Sequence, residues 1–224
     1  MVQLKRCFLG VSILFLAASG RAGEPALLHE VFAKPLDLHQ PSAGFVEVSQ
    51  QLQTVSLLRA DFREEKKLKA LQRPMKSSGK FLVASEHGLF WQTQIPRDRV
   101  FVITPKGISQ LSEGNQTVSV KTEDQPIIHS FTEMFMAMFT GDTSVLQSKF
   151  HLYFTGDAAQ WTLGLVPKGR MMSKMIHHIV LQGGETLEEV DIVETGGDMT
   201  HIDFSNVQVN GPSLKPEESA YFDL

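Results

Sequence analysis

Residues 79–107, GKFLVASEHGLFWQTQIPRDRVFVITPKG, decide how the rest of the chain is read. The stretch divides into three short strands separated by turn signals. Residues 80–84 are mostly apolar and stop at Ser85-Glu86-His87-Gly88. Residues 89–95 alternate: Leu89, Trp91, Thr93 and Ile95 fall on one face, Phe90, Gln92 and Gln94 on the other. A period of two marks a half-buried strand. Pro96 ends the run, because proline has no N–H to give to a ladder. Residues 99–104 form a β-branched run closed by Pro105-Lys106-Gly107. Nothing here resembles a nucleophile, a metal cluster or a phosphate loop. The stretch offers a curved apolar wall.

Upstream, the period of two continues over residues 57–68. Leu58, Ala60 and Phe62 alternate with Arg59, Asp61 and Arg63, which predicts a long strand with a charged outer face. Glu64-Glu65-Lys66-Lys67 reads as the solvated end of that strand. Residues 69–78, with Pro74, read as a polar hairpin loop. Before the strand, Phe45, Val48, Leu52 and Val55 recur at helical spacing. Residues 24–43, with Pro25, Pro35 and Pro41, read as a loose lead-in at their start.

Downstream, residues 108–120 predict two further strands around Glu113-Gly114-Asn115. Residues 121–126 are a polar linker. Then comes IIHSFTEMFMAMFT, residues 127–140, in which Phe131, Met134, Phe135, Met138 and Phe139 keep helical spacing. Gly141 ends this helix and Asp142 caps a second, shorter one to about residue 148. A Met/Phe stripe is the signature of ordinary core. It is also what a surface uses when it must adapt to varied apolar partners. The last third reads as strands at 150–154, 161–166, 176–181, 186–194 and 199–206, with turns at Gly156-Asp157, Gly183-Gly184 and Gly196-Gly197. Within them Trp161, Leu163 and Leu165 share a face. Ten or eleven antiparallel strands with two helical insertions, and no βαβ crossover, exclude a doubly wound sheet. A hydrophobic tip, Tyr221-Phe222, follows Pro212 and Pro216.

Lys5 and Arg6 precede an apolar run over residues 7–18 and the small residues Ser19-Gly20-Arg21-Ala22. This is the pattern of a cleaved secretory signal at residues 1–22, followed by one domain over 23–224. The run is shorter than the ~20 residues a bilayer span takes. Cys7 is the only cysteine and lies inside the leader, so the mature chain carries none. An extracytoplasmic domain of this size without disulfides fits a bacterial periplasm. Loss of Lys5, Arg6 and Arg21 with the leader moves the net charge from −4 to −7. That balance argues against nucleic acid or an anionic membrane surface as partner.

Catalytic constellations are missing. Ser85-Glu86-His87 has triad residue types, but consecutive in a turn, whereas triads are assembled from distant segments. There is no GxSxG, HExxH or CxxC. Neighbours on a strand point to opposite faces, so His177-His178 is a poor metal pair. The chain reads as neither an enzyme nor a metalloprotein, and no cofactor is expected.

The order of elements resembles the periplasmic outer-membrane lipoprotein carrier (LolA) family over residues 48–222. The resemblance is carried by Leu58-Arg59-Ala60-Asp61-Phe62-Arg63, Gly79-Lys80-Phe81-Leu82-Val83, Leu89-Phe90-Trp91 with Pro96, Trp161-Thr162-Leu163 with Pro167-Lys168, and Ile202-Asp203-Phe204-Ser205-Asn206. It implies a mainly β fold: an unclosed, strongly curved antiparallel half-barrel with helices lidding its concave apolar face. It also implies a periplasmic carrier of lipoprotein acyl chains, without covalent chemistry. Such a carrier receives cargo from an inner-membrane release complex and yields it to an outer-membrane acceptor, and works as a monomer.

With that fold, strand parity and the helical stripe predict a cavity lined by Phe62, Leu89, Trp91, Phe131, Met134, Phe135, Met138, Trp161 and Leu163. One departure stands out. Well-studied members carry an arginine and a proline in the turn before the aromatic strand, where this chain has Ser85-Glu86-His87-Gly88. A carrier of another lipidated cargo, such as a glycolipid or polyketide pigment, and a periplasmic sensor on the same fold are the alternatives.

Overall fold

The computed structural model describes residues 31–112, 115–121 and 126–223, with side chains for all of these but 115–118 and 126–131. The expected leader, residues 1–22, lies outside the described residues. Two strand meanders build the sheet. The first runs β1 (Leu57–Lys67), β2 (Met75–Ala84), β3 (Gly88–Ile95), β4 (Arg99–Thr104), β5 (Gly107–Ser112) and β6 (Asn115–Lys121). The second runs β7 (Phe150–Gly156), β8 (Trp161–Pro167), β9 (Ile176–Gly183), β10 (Leu187–Glu194) and β11 (Met199–Val209). They join where β1 pairs antiparallel with β11, giving one eleven-stranded sheet in the order β6-β5-β4-β3-β2-β1-β11-β10-β9-β8-β7. The first and last strands are thus central, and β6 and β7 are the free edges of an unclosed antiparallel sheet.

Period-two patterning sends one side chain of each pair to the concave face. On β1 these are Leu58, Ala60 and Phe62; on β3, Leu89 and Trp91; on β8, Trp161, Leu163 and Leu165, all buried in one core cluster. The Ser85–Gly88 turn requires its glycine. Gly88 sits at φ +140°, and a Cβ there would lie 2.1 Å from the Ile103 carbonyl oxygen.

Four helices have described bounds. α1 (Ala43–Gln53) is capped by Ser42, whose Oγ accepts from the Phe45 N–H at 3.3 Å, and it buries Phe45, Val48 and Leu52. α2 (Pro126–Thr140) ends at Gly141, φ +63°, as expected from the sequence. α3 (Thr143–Lys149) is capped by Asp142, which accepts from the N–H groups of Ser144 and Val145. The neighbouring Ser144 hydroxyl, above all, holds the Asp142 carboxyl below the usual range.

Two expectations are corrected, and one element is new. Residues 75–78 belong to β2 rather than to a loop. Their serines gave no strand signal, yet Ser77 points inward and is buried. The C-terminal tip is a helix, α4 (Pro216–Phe222). It covers a second apolar cluster on the opposite face of the sheet, made of Leu57, Leu82, Ala84, Phe90, Val100, Val102 and Phe222. Arg59 anchors it, donating from Nε and Nη2 to the two carboxylate oxygens of Glu218 at 2.8 and 2.6 Å. Finally, the rings of His177 and His178 do meet, their Nδ1 atoms 2.7 Å apart. A bulge between the Val193–His178 and Glu194–Ile176 pairs breaks the parity on which their separation was argued.

Candidate functional site

Between α2 and the concave face lies a cavity of about 190 Å³. The apolar part of its sheet wall is built by inward residues of six strands. Leu89 and Trp91 come from β3, Phe101 and Ile103 from β4, and Ile108 from β5; Ile179, Val190, Ile192, Ile202 and Phe204 come from β9, β10 and β11. α2 supplies the opposite wall with Met134, Phe135, Met138 and Phe139.

Five of the nine expected site residues lie on this wall: Leu89, Trp91, Met134, Phe135 and Met138. Phe62 lies behind it, its ring 4.1 Å from the Trp91 ring. Gly79, opposite Phe62 on β2, carries no side chain to intervene, and a Cβ there would be 1.7 Å from the Gln92 carbonyl oxygen. Trp161 and Leu163 are buried on β8 but do not line the cavity. The Trp161 indole instead donates to the Gly184 carbonyl at 2.8 Å and fixes a turn. The side chain of Phe131 lies outside the described residues.

The sequence reading missed the polar end of the cavity. Glu64, Lys66, Glu194 and Thr200 all line it. Glu64 and Lys66 do not form a solvated strand end: they are 3% and 9% exposed. β1 is laddered to β11 as far as Lys67 and to β2 as far as Lys66. The inward parity of Leu58, Ala60 and Phe62 therefore carries on to 64 and 66, and register overrides charge. Unbroken alternation through residue 66 was the signal that could have revealed this.

Burying charge is tolerable only with partners. Lys66 Nζ donates to Glu194 Oε1 at 3.1 Å, across the sheet from β10. Ser77 Oγ donates to Glu64 Oε2 at 2.6 Å. Burial pushes the Glu64 carboxyl up, against the opposing pull of the Ser77 hydrogen bond and the Lys66 charge. Two wall atoms remain without a hydrogen-bond partner among the described residues: Glu64 Oε1 and Trp91 Nε1. Each such buried atom costs about 1–3 kcal/mol. The arrangement can hold an apolar chain and offers hydrogen bonds at one end. Among the described residues no cluster of three or more potential metal ligands occurs.

The comparisons with solved structures reach a LolA superfamily protein from Nitrosomonas europaea, at 7% identity over 79% of this chain and 97% of that one, TM-score 0.45. They also reach a putative outer-membrane lipoprotein-sorting protein domain from Vibrio parahaemolyticus, at 10% identity over 79% and 95%, TM-score 0.37. A chain of the Pseudomonas aeruginosa MucA/MucB complex follows at 10% identity over 77% and 58%, TM-score 0.37. No curated protein matches at a significant level. The family model described as "Outer membrane lipoprotein carrier protein LolA" matches residues 53–216, from the end of α1 to the start of α4, and the chain belongs to that family.

Proposed function

We propose that the protein is a periplasmic carrier that takes acyl chains of lipoproteins into the cavity under α2 and moves them from the inner to the outer membrane. The observation that carries this reading is the apolar cavity itself, walled by Met134, Phe135 and Met138 on one side and the concave sheet on the other. An exposed methylene costs about 0.8 kcal/mol in water, so an acyl chain needs such a dry container to cross an aqueous space. Size sets a condition on the mechanism. An engineered cavity of ~150 Å³ accommodates a benzene ring. At about 190 Å³ the closed cavity holds little more, far short of a whole chain. Loading therefore requires α2 to lift. Acyl chains and the α2 side chains offer the wall the same kind of contact, so the exchange proceeds with little net free energy. In this reading residues 1–22 are removed on export, residues 23–224 form the carrier, and it works as a monomer between a membrane release complex and an acceptor.

The absence of an arginine and proline in the 85–88 turn favours a second cargo class on the same site, a lipidated molecule other than a lipoprotein. Native mass spectrometry of the protein isolated from its own periplasm tests both. Bound acylated polypeptide supports the first reading and bound small lipid the second. A protein that stays empty when purified and when mixed with acyl lipids sinks both.

A further inference from the structure

We propose that Glu64 and Trp91 form a head-group site at the cavity wall, which selects acyl compounds bearing a neutral hydrogen-bonding group, such as an acylglycerol ester, over free fatty-acid anions. The inference rests on the carrier reading and narrows its cargo.

The argument starts from two orphaned atoms of complementary kinds. Trp91 Nε1 is a donor and Glu64 Oε1 an acceptor, both buried, both on residues that line the cavity, and neither has a partner among the described residues. Buried polar atoms normally find partners. The contrast inside this molecule is direct: the other tryptophan, Trp161, is as deeply buried and its indole N–H is satisfied by the Gly184 carbonyl. The two orphans also belong to one neighbourhood. Trp91 packs against Phe62, which is the inward residue next to Glu64 along β1. A monoacylglycerol head placed there can accept from the indole through its ester carbonyl and donate to the carboxyl through a hydroxyl.

Charge decides which head groups fit. Lys66 is the cation on the wall, and it is already committed to Glu194 at 3.1 Å. Glu64 is a second carboxyl beside it. A fatty-acid carboxylate would bring a third acid to one cation in a setting of low dielectric, where like-charge repulsion is strong. A neutral acylglycerol head, with an ester carbonyl to accept and a hydroxyl to donate, satisfies both orphans without that repulsion.

The test is displacement of the fluorophore N-phenyl-1-naphthylamine from the full mature chain at neutral pH by 1-lauroylglycerol and by laurate, which share one acyl chain. The expected result is about tenfold tighter binding of 1-lauroylglycerol, the scale of one to two buried hydrogen bonds. That ratio should fall towards one in Glu64→Met and in Trp91→Phe. The second variant keeps an aromatic ring in the wall and decides the matter should the first fail to fold. Equal binding of both lipids by the wild type overturns the head-group site and leaves the carrier reading standing. So does a ratio unchanged in the variants. If neither lipid binds, the carrier reading fails and this inference goes with it.

Discussion

At the scale of single residues, Glu64 shows what register can impose. A carboxyl with a raised native pKa costs the folded state more as pH rises, because only the folded state resists its ionisation. Its cost is absent below the unfolded value, near 4.5, grows as pH rises from there to the native one, and is complete above it. Glu64→Gln removes the titration. We expect the variant to gain on the wild type in urea-unfolding stability between pH 5 and pH 8; a difference that does not change with pH would show that Glu64 does not titrate in this way. His201, on the outward side of β11, works in the opposite sense. Its hydrogen bond to Asp191 across the β10–β11 pair, at 2.8 Å, is the main reason its pKa rises to about 9. The raised value means that its stabilisation is complete below pH 6.5 and is lost as pH climbs through about 9. In His201→Gln the fall of melting temperature between pH 6.5 and 9.5 should be shallower than in the wild type. Because His201 is half-exposed, the effect will be small and will shrink with added salt.

At the scale of elements, α2 carries the functional weight in the proposed carrier. Met134, Met138 and Phe139 are buried against the sheet, each at most 3% exposed, so an acidic residue among them opposes closure. Met134→Asp should weaken retention of acyl cargo and speed hydrogen exchange in α2, while exchange in β1 and β2 stays slow. Should α2 in the wild type prove as protected as β1, with no response to lipid, the helix is plain core and does not open. The period-two stretches at β3 and β8 and the spacing in α2 were legible because apolar patterning and burial coincide there. Where they part, legibility ends. Ser77, Glu64 and Lys66 are polar and buried, so hydropathy placed them outside. The bulge beside His178 depends on pairing with β10, a partner sequence periodicity does not name. α4 is seven residues long, too short for a periodic signal, and is held by the remote Arg59. For Trp161, parity gives a face but not a position along it, and the indole lies beyond the cavity wall.

For the whole molecule, the two faces of the sheet divide the labour. The concave face keeps the cavity; the other is sealed by α4 through Phe222 and the Arg59–Glu218 pair. Phe222→Ala should cost about 3 kcal/mol in chemical denaturation, at the low end for a buried phenylalanine because the helix is terminal. Acyl binding by the folded variant should persist, since Phe222 is remote from the cavity wall; a loss of binding in step with the loss of stability would show that the two faces are coupled.

The free edges β6 and β7 have one more consequence. The chain that runs from one edge to the other is the chain that forms α2 and α3, so the clasp and the seam are a single ribbon. Among the described residues no ladder ties the edges to each other, so in the proposed carrier lifting the ribbon would widen the mouth without breaking a strand pair. A carrier that opened in this way would have no fixed capacity. Affinity across a series of saturated chains should therefore keep climbing with each added methylene, at up to about 0.8 kcal/mol apiece, past the length that 190 Å³ would admit in a rigid cup.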